Sequence, residues 1–155
     1  MILLVHMLFG AGIGASINNI PLAIILALLG HYFLDLFPHI EYLDGVENSI
    51  KKLKTDAWKK SIKNAIKVFL DFCLGILAIF LFSKNQPIIY VCAIMAIIPD
   101  GLTVIYSLFP NRPLAVHHKI HGEKIHFLRH KKIPKIWRIA TQVGAVALSI
   151  VLLMS

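Results

Sequence analysis

Charge is what this chain has least of. Of its 155 residues only 15% are Asp, Glu, Lys or Arg, against 57% that are apolar, where soluble domains carry roughly a quarter charged residues. A water-soluble fold of this length could not hide so much apolar surface, so lipid must take up part of it. Cysteine is also scarce. Cys73 and Cys92 lie inside apolar runs and form no C-x-x-C, which excludes a disulfide framework and a thiolate metal knuckle. The N-terminal apolar run lacks the basic stretch that opens a signal peptide and has His6 at its middle, so it reads as a retained helix. Internal repeats and low-complexity segments are absent too.

The apolar residues fall into five segments: 2–17, 20–37, 66–82, 87–108 and 136–154. Most approach the ~20 residues needed to cross a hydrocarbon core. The first is short, at roughly 24 Å of helix, and reads as marginal for crossing. The expectation is an all-α, single-domain integral membrane bundle of about five transmembrane helices. Around Asn18 and Asn85 the connections are tight turns, whereas 38–65 and 109–135 are long and basic. In the first long loop, Ile50, Leu53, Ala57, Ile62 and Ala65 alternate with lysines, predicting a basic interfacial helix over about 49–65.

The net charge of +8 is one-sided. With five crossings, Lys84 is the sole Lys or Arg on the short-turn side. The positive-inside rule then places the N-terminus and both long loops in the cytoplasm of an inner (plasma) membrane protein. Basic loops of this kind suit anionic lipid headgroups as partners rather than nucleic acid.

The few ionisable residues inside the apolar segments follow a pattern. His31 and Asp35 continue a four-residue stripe from Ala23 and Ala27, and His6 shares one with Gly10 and Gly14. Asp71 aligns with Gly75 and Ala78, and Asp100 with Ala93 and Ala96. Small residues mark faces where membrane helices approach closely, so each ionisable group points into the bundle. In the topology above, all five lie toward the cytoplasmic end and can converge. Buried His and Asp need mutual compensation or a cation. His39 follows Asp35 by four residues, beyond Pro38. The second long loop adds His117, His118, His121 and His126. Neutral imidazole with carboxylate oxygen suits zinc, which makes His6, His31, Asp35, His39, His117, His118, His121 and His126 candidate ligands. Asp71 and Asp100 are candidate general bases or further ligands. His130, among Arg129, Lys131 and Lys132, reads as a headgroup contact.

The stretch Gly30-His31-Tyr32-Phe33-Leu34-Asp35-Leu36-Phe37-Pro38-His39 resembles the metal-binding helix of the zinc-dependent phospholipase C family. It is also similar to small membrane-bound metal-dependent hydrolases, in which a separate Pro-Asp, here Pro99-Asp100, precedes clustered histidines. The close resemblance covers about ten residues. It implies that His31 and Asp35 bind zinc, Asp35 bridging two ions, with His39 as a third ligand. It further implies an N-terminal ligand at His6, a paired site at His117 and His121, and one to three zinc ions. The expected activity is hydrolysis of a phosphoester, plausibly a phospholipid, at the cytoplasmic interface. The spacing of the second His and the multi-spanning chain depart from the soluble family. The rival reading is a non-enzymatic metal-binding membrane protein, either a structural zinc bundle or a transporter.

Overall fold

A computed structural model describes residues 2–40, 58–128, 131 and 133–154, with 58–64 as backbone only. The described residues are all-α, without strands. The helices are α1 (Leu3–Ser16), α2 (Ile20–Asp35), α3 (Trp58–Phe82), α4 (Pro87–Met95), α5 (Ile98–Leu108) and α6 (Arg112–Lys119). A π-helical turn (Ile120–Ile125) and α7 (Lys135–Met154) follow. The expected interfacial helix falls mostly on residues 41–57, outside those described, as do Arg129, His130 and Lys132. From Trp58 onward the chain is already part of the continuous helix α3.

Local sequence explains the boundaries. The Asn19 side chain accepts from the Leu22 amide and caps α2, with Pro21 in its first turn. Asn111 does the same for α6 through the Leu114 amide. Before Pro38 the helical conformation is disfavoured, and α2 ends at Asp35 rather than reaching 37. The segment read as one span over 87–108 is two helices bent by 47°. Pro99 is the cause, because it lacks the N–H that would donate to Met95 and its ring crowds that carbonyl.

By length and apolarity, 65–82 and Lys135–Met154 can each cross a membrane, and the bent α4–α5 pair could be a third crossing. At 14 and 16 residues, α1 and α2 are shorter apolar helices. Outward-facing Phe69, Leu70, Leu81, Trp137, Val143 and Val151 are more than half exposed, a surface compatible with membrane insertion.

The marginal first segment proves to be the central one. Helix α1 packs against α2, α3, α4 and α7, and Val5, Met7, Leu8 and Ala11 are buried. Close approach depends on its small residues. A Cβ at Gly10 would sit 2.5 Å from Ala96 Cβ and 2.6 Å from the Cys92 carbonyl oxygen, so any side chain there would push α4 away. On α2, the whole Ala23, Ala27, His31, Asp35 stripe is buried.

Candidate metal centre

The centre is assembled where α1, the C-terminal end of α2, the α4–α5 break and the π-helical turn meet. His31 and Asp35 lie one turn apart on α2, and Asp100 is in the first turn of α5. His6, His31, Asp35, His39, Asp100, His121 and His126 are all buried, His6 and His31 completely.

Asp35 is the hub. Its Oδ2 lies 3.1 Å from His31 Nε2, 3.2 Å from His126 Nε2 and 3.6 Å from His121 Nε2. Its Oδ1 lies 3.2 Å from His6 Nε2 and 3.6 Å from His39 Nε2. Asp100 Oδ1 is 3.7 Å from both His31 Nε2 and His121 Nε2. The ligand atoms form two compact groups, His31–Asp35–Asp100–His121 and Asp35–His39–His126, each within 4.8 Å, and Asp35 belongs to both. Either group could hold a metal ion.

The surroundings aim these nitrogens. His31 Nδ1 is 2.7 Å from the Ala96 carbonyl, and His39 Nδ1 is 2.6 Å from the Phe37 carbonyl. A carbonyl only accepts, so both Nδ1 atoms carry the proton and each Nε2 presents a lone pair. Ala96 lies at the break that Pro99 creates, so the bend that interrupts α4–α5 also holds His31. The start of α7 holds His39. Arg138 donates to the His39 carbonyl (3.2 Å), Gln142 to the Ile40 carbonyl (3.0 Å), and the Thr141 hydroxyl to the Pro38 carbonyl.

The π-helical turn positions the remaining pair. The His126 amide donates to the His121 carbonyl at 3.2 Å. This five-residue step brings the two rings onto one face, with Nε2 atoms 2.9 Å apart. Burial, then repulsion from His31 and His126, pushes the His121 pKa down to about 3. It is therefore neutral at physiological pH, as a metal ligand must be.

Several buried polar atoms here have no hydrogen bond, including His6 Nδ1, His31 Nε2, His121 Nδ1 and Asp100 Oδ2. Each such group costs about 1–3 kcal/mol when left unmade. Clustered lone pairs without donors are what a cation would satisfy, so the residues present fit a bound metal.

Besides His6, three sequence candidates belong to neither ligand group. Asp71 accepts the Leu4 amide at 2.9 Å, capping the N-terminus of α1, and is in neither ligand group. Asp71 was expected as base or ligand; its described contact places the carboxylate at the start of α1. His117 directs Nε2 to the Pro99 carbonyl at 3.0 Å. The expected His117–His121 pairing is present as a ring contact, with centroids 5.5 Å apart, while His121 Nε2 lies 2.9 Å from His126 Nε2. His118 faces Tyr106, with ring centroids 4.9 Å apart. The supporting roles of Ala96, Arg138, Thr141 and Gln142 had no signal in the sequence reading, which took 87–108 as one span through Pro99. Comparison of the chain with protein-family models, with curated proteins and with solved structures finds no match.

Proposed function

We propose that the protein is a membrane-bound zinc-dependent hydrolase that cleaves a phosphoester at the cytoplasmic interface. The observation carrying this reading is the sharing of Asp35 by two ligand groups. A structural zinc needs four closed ligands, whereas five imidazoles and two carboxylates gather here. At zinc–ligand lengths near 2.1 Å and tetrahedral angles, neighbouring ligand atoms stand roughly 3.3–3.4 Å apart. The spacings of 3.1–3.7 Å around Asp35 and Asp100 bracket that value. The ten-residue resemblance to the zinc-dependent phospholipases points the same way.

In this reading His31, Asp35, Asp100 and His121 hold one ion, and Asp35, His39 and His126 hold a second, with His6 behind Asp35. When bound, such ions supply Lewis acidity toward a phosphoryl oxygen and lower the pKa of water. Asp35, common to both groups, would be a ligand to either ion. Asp100, with Oδ2 unpartnered, is the carboxylate placed to accept a proton. The bilayer arrangement proposed with it has five crossings and a cytoplasmic N-terminus. Enclosure of α1 by four helices lets a 14-residue helix lie in the membrane without matching its full thickness.

The complete burial of His6 and His31 favours a second reading, a structural metal staple. A transporter is disfavoured because the far halves of the apolar helices carry no Asp, Glu, Lys, Arg or His side chain. The test is metal analysis of purified protein, followed by hydrolysis of phosphatidylglycerol vesicles, bis(p-nitrophenyl) phosphate and p-nitrophenyl phosphate. Bound zinc with turnover that fails in Asp100→Asn is expected. Absence of metal overturns both readings, and metal without turnover on any substrate leaves the staple.

A further inference from the structure

The cap over the metal centre has an outer face that the proposed chemistry does not use. Phe109, Val116, Ile120 and Phe127 are 71%, 59%, 47% and 46% exposed. Val116 and Ile120 are one turn apart in the segment formed by α6 and the π-helical turn, and Phe109 and Phe127 flank it. The inner side buries His121 and His126 at the centre. Arg112, Lys119 and Lys124 are exposed on the same segment with one exposed acidic residue, Glu123, and Lys131 Nζ lies 5.4 Å from the Phe127 ring centroid.

The surroundings of this face follow by elimination. The α6–π segment runs 112–125, about 21 Å of helix, and carries Arg112, His117, His118, Lys119, Glu123 and Lys124, so it cannot span a bilayer. A row of half-exposed aromatic and branched side chains is equally unsuited to water. The remaining environment is the boundary, with apolar side chains among acyl chains and basic groups among phosphates.

We propose that the α6–π cap docks in the plane of the membrane in which the chain sits, against an anionic leaflet. The excess of exposed basic over acidic side chains selects anionic lipid. Metal ligands and leaflet contacts then occupy opposite sides of the same helical turn. If the metal centre is a hydrolase, this placement makes a lipid headgroup phosphoester its substrate class, a consequence resting on the preceding proposal; the docking does not.

The test uses the full chain in nanodiscs with Cys73→Ser, Cys92 being buried, and an environment-sensitive fluorophore on Ile120→Cys or Val116→Cys. Expected results are a blue-shifted emission, strong quenching by lipid-borne nitroxide and weak quenching by aqueous iodide. The blue shift should grow when phosphatidylglycerol is added to phosphatidylcholine. That increment should disappear in Arg112→Gln/Lys119→Gln/Lys124→Gln. Iodide quenching as strong as for free dye, with none from lipid nitroxide, overturns the proposal. Self-quenching that rises with copies per disc also overturns it, showing a second chain on this face. Metal content of the same labelled protein reports separately on the centre, so either idea can fail alone.

Discussion

Replacing Asp35 by asparagine gives the most discriminating perturbation, because side-chain volume is kept while the shared charge is lost. Asp35 contributes one oxygen toward His6 and His39 and the other toward His31, His121 and His126. Both groups therefore fail together in Asp35→Asn. His39→Ala touches only the group of Asp35, His39 and His126, and Asp100→Asn only the other. Metal per chain should fall from two to zero in Asp35→Asn and from two to one in each of the others. Stability gives an independent reading. An ion present at one hundred times its Kd stabilises the folded state by about 2.7 kcal/mol, so two independent sites give about 5.4 kcal/mol. Added zinc should thus protect wild type about twice as much as His39→Ala, and leave Asp35→Asn unmoved. The assays are elemental analysis after size exclusion and chemical denaturation in detergent with and without zinc. Wild-type metal content in Asp35→Asn would refute the shared-carboxylate argument. Complete loss in His39→Ala would show one centre rather than two.

Three further outcomes are expected. Pro99→Ala restores the amide that the α4–α5 break lacks, straightening the 47° bend and displacing the Ala96 carbonyl from His31. Loss of such an orienting contact should weaken zinc binding about 10–100-fold, and an unchanged Kd in chelator competition would contradict it. Asp71→Ala should cost about 1 kcal/mol through loss of the Leu4 amide contact with full metal retention; metal loss would return Asp71 to the site. In metal-free protein, burial pushes the His121 pKa down from its ordinary 6.5 to about 3 on folding. Between these values the unfolded chain binds more protons, so stability falls with falling pH. From pH 7.5 to 5.5 this single group should remove on the order of 1 kcal/mol, and denaturation curves for His121→Gln should lack that component.

The helical stripes were legible because their signal is local. In α2, Ala23, Ala27, His31 and Asp35 repeat at the helix period and are all buried, and the expected face needed no knowledge of neighbouring helices. The same rule put Asp71 on a packing face but could not say what it would meet, and it met the amide of Leu4. In the second loop the i, i+4 step does bring the His117 and His121 rings together, 5.5 Å apart, but spacing did not signal the π-helical stretch that joins His121 to His126 five residues on.

Scarcity of charge, read at the outset as a sign of lipid, also makes each internal His and Asp costly enough to require a reason. Composition and helical period therefore suffice to name His6, His31, Asp35, Asp71, Asp100 and the loop histidines as candidates, since burial cost and periodicity are properties of the chain and its solvent. Their division into two groups around Asp35 was decided by tertiary structure alone. It depends on which carbonyl the Pro99 break presents to His31, on α7 holding the carbonyls of residues 38–40, and on a π-helical turn. These are contacts between segments as far as 103 residues apart, and no local pattern encodes them.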